Sequence, residues 1–142
     1  MLITILSIIL FLTFMVLAGF HVYWLFGGEW GLEHVIPSKG DKALTLAIPK
    51  FATLIVALGL ASFGLLYLLK SGLIILQLPS LITNVAFWFI PSIFLLRAIG
   101  EFNYVGFFKK IKNTKFAKAD SKIFAPLCLA IGTIGILIQL IK

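Results

Sequence analysis

Residues 2–25 read LITILSIILFLTFMVLAGFHVYWL, and the fold class follows from what that run leaves out. It holds no charged residue, and its few polar groups are Thr4, Ser7, Thr13 and His21. As a helix rising about 1.5 Å per residue, it is long enough to cross a hydrocarbon layer of roughly 30 Å. Fifteen of its residues are Leu, Ile, Phe or Val. Each favours insertion by about 0.3 to 0.6 kcal/mol, a sum that outweighs one neutral histidine near the end. The run is expected to stay in the protein as a first membrane helix. It lacks the basic lead, the shorter apolar core and the small-residue cleavage site of a secretory signal. Gly27 and Gly28 supply its stop, because glycine accepts the left-handed conformation that closes a helix.

Three further apolar stretches lie outward from this one, at 46–69, 80–98 and 122–141. Pro49 suits the first turn of the second, where a missing N–H costs little. Asn84 and Pro91 lie inside the third, and residues 73–79 are either an interfacial lead-in or its first turns. The fourth has Asp120 or Ser121 as its cap. Composition agrees with this reading. Apolar residues make up 61% of the 142 and charged residues 12%, with a mean hydropathy of +1.14. A water-soluble domain of this size cannot hide so much apolar surface, whereas lipid removes the need. The expected fold is therefore all-α, a four-helix transmembrane bundle forming one domain of a multi-pass inner-membrane protein.

Small residues mark the faces on which these helices approach. Ala57, Ala61 and Gly64 share one face of the second span; Cys128, Gly132, Gly135 and Gln139 share one face of the fourth. Lipid-solvated helices pack closely at such residues, and an amide such as that of Gln139 can bond across the contact. The seam at Gly132 and Gly135 serves either packing within the chain or a homo-oligomer. Cys128 is the single cysteine, so it has no intrachain disulfide partner and no metal-binding spacing.

The net charge of +7 does not mark a nucleic-acid binder. Most of it lies between two apolar stretches, where lysines meet anionic lipid headgroups at about 1 kcal/mol each. Lys109, Lys110 and Lys112 are the expected headgroup contacts, set among aromatics such as Phe102, Tyr104 and Phe108. The loops at 26–45 and 99–121, with their flanking residues, carry Lys39, Lys42, Lys50, Arg97 and six lysines of the third loop. The other side has Lys70 and Lys142. Positive charge stays inside, so both loops are expected in the cytoplasm and both termini outside.

That orientation brings every acidic residue (Glu29, Glu33, Asp41, Glu101 and Asp120) to the same end as His21 and Arg97. Ionisable groups near membrane depth are expensive, and their gathering marks a site. The candidate ligand-binding residues are His21, Trp24, Glu29, Arg97, Glu101 and Tyr104. Each has an ordinary reading beside it. His21 either serves a ligand or a proton, or bonds a neighbouring helix. Arg97 and Glu101 either hold an anion or close the third helix as a pair spaced four apart. Asp120 reads as a helix cap. No catalytic motif, metal spacing or phosphate-binding glycine loop is present, and Glu33 and His34 do not complete one with His21. No cofactor is expected, including a haem between His21 and His34. The reading that fits is binding of a lipid-like, hydrophobic or anionic ligand, or of a membrane partner, at the cytoplasmic end. The alternatives are an intramembrane enzyme acting on a lipid or isoprenoid with His21 and a nearby carboxylate, and a small transporter.

Three stretches carry a resemblance. They are HVYWLFGGEWG from His21, RAIGEFNYVGFFK from Arg97, and FAKAD from Phe116 with APLC ending at Cys128. Together, and in this order, they resemble the domain of unknown function 3995 family of small bacterial membrane proteins. The resemblance covers most of the chain. It implies four membrane helices and no particular activity.

The topology has a direct test. Single cysteines placed at Glu33 and at Lys112 should react with a membrane-impermeant maleimide from the same side of the cell membrane. Labelling from opposite sides would remove the shared polar end.

Overall fold

The computed structural model describes residues 1–31, 50–100, 106–110, 112 and 115–141. Among the described residues it contains helices and no strands. Helix α1 spans Leu2–Leu25, α2 Lys50–Lys70, α3 Ser80–Ile99 and α4 Lys115–Ile141; all four are long and apolar enough to cross a membrane. Their apolar residues mostly face outward. Of the most apolar window, 22% is buried in each of α1, α2 and α3 and 39% in α4. A soluble bundle would show the reverse.

The helix ends follow from local chemistry. Gly27 takes φ +94° after α1, and the N–H groups of Gly28 and Gly27 donate to the carbonyls of Tyr23 at 3.0 Å and Trp24 at 3.1 Å. That nested pair satisfies carbonyls the helix leaves open. Gly72 closes α2 with φ +82°. Residues 73–79 then run without helix to Pro79, which stands directly before α3. Proline fixes this start because it disfavours helical geometry in the residue before it.

Two antiparallel hairpins make up the bundle. In the first, Thr4 Oγ1 donates to the Ser71 carbonyl at 3.1 Å, tying the start of α1 to the end of α2. Gly64 lies so close to α1 that a Cβ would come within 3.2 Å of Phe14 Cβ. In the second hairpin, α4 lays Gly132 and Gly135 against Pro91 and Leu95 of α3. Pro91 leaves a thick, rigid face where the helix lacks one N–H, and the glycines make room for it. Cys128, Gly132, Gly135 and Gln139 are all buried. The seam is thus filled within the chain by Pro91 and Leu95. Gln139 makes no side-chain hydrogen bond among the described residues, and nothing in its surroundings accounts for that.

Aromatic rings join the hairpins. Phe14 stacks on Tyr67 at 5.9 Å and tilts against Phe94 at 5.3 Å, while Tyr67 meets Phe87 at 5.4 Å. Offset and edge-on contacts of this kind add about 0.5 to 1.5 kcal/mol each beyond area burial. Leu10, Ile90, Ile131 and Ile138 complete the core.

The seam yields an expectation for stability. In Gly135→Ala the new methyl would stand 2.8 Å from Pro91 Cβ and 2.9 Å from Tyr67 Oη, a crowding that costs about 1 to 3 kcal/mol. Gly59 has nothing within 4 Å of an added Cβ, so Gly59→Ala should be neutral or stabilising by up to about 1 kcal/mol. Thermal unfolding of both variants in one detergent distinguishes them.

Candidate functional site

The polar end is built around Asp120. Gly100 ends α3 with φ +82°, and the returning chain docks on that end, where the Phe107 N–H donates to the Ala98 carbonyl at 2.9 Å. Gly106, with φ +90°, presses so closely on the Ile99 carbonyl that no Cβ fits. Its N–H donates to Asp120 Oδ2 at 2.7 Å. The Lys109 ammonium reaches the same Oδ2 at 3.1 Å, the Gly106 carbonyl at 2.9 Å and Ser121 Oγ at 2.5 Å. Those three contacts use all of its donors. From α3, Arg97 Nη2 lies 2.9 Å from Asp120 Oδ1 as an ion pair, and that oxygen accepts no hydrogen bond among the described residues. The Asp120 side chain is 0% exposed and that of Lys109 1%, against 32% for Arg97.

This arrangement corrects one expectation. Asp120 is not a cap, because α4 begins earlier at Lys115 and runs through it. It opens a wider π-helical turn, Asp120–Phe124, between the α-helical turn Lys115–Ala119 and the α-helix Ala125–Ile141. Such turns inside α-helices often occur at functional sites. Of the three lysines expected near lipid headgroups, Lys109 is held by this buried carboxylate, while Lys110 and Lys112 are exposed. The charge of the three side chains does not cancel. Two cations face one carboxylate, leaving a surplus of one positive charge, and the buried Arg97 Nη1 has no hydrogen-bond partner among the described residues.

Arg97 also lines a cavity of about 690 Å³ between the helices. Its walls are mainly apolar and aromatic, with Phe20 and Trp24 from α1, Phe63 from α2, Phe94 from α3, and Phe124 and Leu127 from α4. Three lining residues bring polar chemistry: Arg97, His21 and Cys128. The His21 Nδ1 lies 2.7 Å from the Leu17 carbonyl. A carbonyl can only accept, so Nδ1 carries a hydrogen, and Nε2 is the ring nitrogen left to face a ligand as an acceptor whenever it carries none. Trp24 packs edge-on against His21 at 5.2 Å, and its indole N–H donates to the Trp30 carbonyl at 2.9 Å, which folds residue 30 over the cavity.

Of the residues singled out from sequence, the structure brings His21, Trp24 and Arg97 together around this cavity. Glu29 is exposed and is not among its lining residues. Glu101 and Tyr104 lie outside the described residues, as do Glu33 and His34, so the Arg97–Glu101 pair falls outside as well. Sequence reasoning missed the Lys109–Asp120 bond, because Lys109 lies outside any helix, and helical spacing relates only residues on the same helix. It also read Cys128 only as part of a packing face. One signal was available: Asp120 is the lone acid in a run of lysines.

Removing the carboxylate tests its role. Asp120→Ala strands two cations in a buried place, and stability should fall by about 3 kcal/mol. Ser121→Ala removes one neutral acceptor and should cost about 1 kcal/mol. Unfolding midpoints in detergent measure both.

Comparison with known proteins adds one relationship. No curated protein and no solved structure matches the chain. A family model described as protein of unknown function (DUF3995) matches residues 14–135, which include all of the lining residues named above. The chain therefore belongs to the DUF3995 family.

Proposed function

We propose that this is a membrane protein that binds a long-chain anion from the lipid phase, with the headgroup at Arg97 and the hydrocarbon tail among the aromatic walls. One observation carries the reading. Arg97 lines a large apolar cavity while its Nη1 is buried and lacks a hydrogen-bond partner among the described residues. A buried donor left unbonded is costly, more so when it is charged. An oxyanion supplies both the acceptor and the counter-charge, and guanidinium suits carboxylate and phosphate oxygens. His21 Nε2 adds an acceptor for any hydroxyl on the headgroup. The walls then take the tail much as lipid itself would. By the lysine distribution the headgroup end faces the cytoplasm, and exposed Lys110 and Lys112 lie on the same side, near anionic lipid.

Lipid analysis of the purified protein tests the proposal. Protein extracted from bacterial membranes should carry a long-chain anion in native mass spectra. Arg97→Gln should retain about tenfold less, in line with the loss of one charge-assisted hydrogen bond of roughly 1.5 kcal/mol. Its fold should survive, because Lys109 still compensates Asp120. Wild-type protein that carries no such molecule, and takes none up from liposomes, would defeat the reading.

A further inference from the structure

We infer that the cavity selects a singly charged oxyanion over neutral and doubly charged headgroups, and that Lys109 sets this preference without touching the ligand. The inference rests on the reading of the cavity given above and names the charge of its ligand. Among the described residues, Arg97, Lys109 and Asp120 form one connected group with a surplus of one positive charge. Among the described residues, the surplus is available at Arg97. Lys109 spends its donors on Asp120, the Gly106 carbonyl and Ser121, whereas Arg97 keeps Nη1 unbonded. One negative charge on the ligand brings the group to neutrality. A neutral headgroup leaves the surplus in place, and a dianion reverses it, in surroundings where an unbalanced charge is poorly solvated.

Lys109 enters through the same sum. Its ammonium neutralises Asp120, so Asp120 does not fully neutralise Arg97. The contacts of the carboxylate show the same division: it hydrogen-bonds Lys109 and the Gly106 N–H, and meets Arg97 as an ion pair. Without Lys109, Arg97 and Asp120 would cancel before any ligand arrived. Lys109 is thus a positioning residue for charge, held in register by the docking of Gly106 on the end of α3.

The experiment uses the full chain in phosphatidylcholine nanodiscs and a doxyl-labelled palmitate that quenches Trp24 and Trp30. Four unlabelled competitors of equal tail length are palmitate, hexadecyl methyl phosphate, hexadecyl phosphate and hexadecanol. At about pH 8.5 hexadecyl phosphate is a dianion, because phosphate monoesters lose their second proton near about pH 6. The two singly charged competitors should displace the label about tenfold better than the other two, one unbalanced charge being worth about that factor. A difference between palmitate and the methyl phosphate assigns the headgroup as carboxylate or phosphodiester within the same class. Lys109→Met should bring the singly charged probes to within about twofold of hexadecanol, whose own affinity stays unchanged; Lys109→Arg should restore the preference. Asp120→Asn raises the surplus to two, and hexadecyl phosphate should then overtake the others. If Lys109→Met does not fold, this reversal and the wild-type ranking decide. A Lys109→Met protein with its anion preference intact, or wild type that binds the dianion as tightly as the monoanions, overturns the inference and leaves the cavity reading standing. No displacement by any singly charged amphiphile overturns both.

Discussion

A helix bathed in acyl chains gains little by trading them for leucine, so a bundle with apolar outer faces must be held by contacts that lipid cannot imitate. Two kinds are present here. Rigid shapes fit closely where Gly64 meets Phe14, and where Gly132 and Gly135 meet Pro91 and Leu95. Charge is satisfied at one place, where Asp120 draws in Lys109, the Gly106 amide and Arg97. The first kind fixes each hairpin along its length. The second fixes the end of α3, the returning chain and the start of α4 to one another. Neither depends on expelling water from between leucines.

These two constraints also decide where space is left. Tyr67, which meets the Phe87 ring and lays its hydroxyl beside Gly135, draws the hairpins together in the half of the bundle that includes Gly135. Toward His21 and Arg97 the facing positions carry bulky residues instead, among them Phe20, Trp24, Phe94 and Phe124. Large rings hold helices apart and cannot fill every gap between them. A cavity at the polar end is therefore what this distribution of small and large residues produces, with Phe63 and Phe94 at its boundary with the core.

Much of the fold was legible in the sequence because insertion energy depends on composition and length, both local properties. The run ending at Leu25 needs no partner to be read as a helix, and Gly27 announces its end. The starts of helices were harder. A carboxylate ahead of an apolar run looks the same whether it caps a helix or lies inside one, and only the contact with Lys109 distinguishes the two for Asp120. The site divided along the same line. His21, Trp24 and Arg97 stood out as polar or interfacial groups at a membrane boundary. The cavity that unites them depends on four helices meeting, and the bond of Lys109 to Asp120 depends on a fold of the chain at Gly106.

The π-helical turn after Asp120 links structure to site most directly. A wider turn adds a residue locally and rotates the later turns of the helix relative to the earlier ones. In α4 the residues before and at that turn, Phe116 and Asp120, are buried with the charge cluster and the cavity wall, while those after it place Gly132 and Gly135 on Pro91. Both demands come from fixed partners on α3, one at Arg97 and one at Pro91, six residues apart. A regular helix would have to meet both with a single phase. The turn lets the carboxylate and the glycine seam each find its own, so the charge cluster can be held buried without loosening the hairpin beneath it.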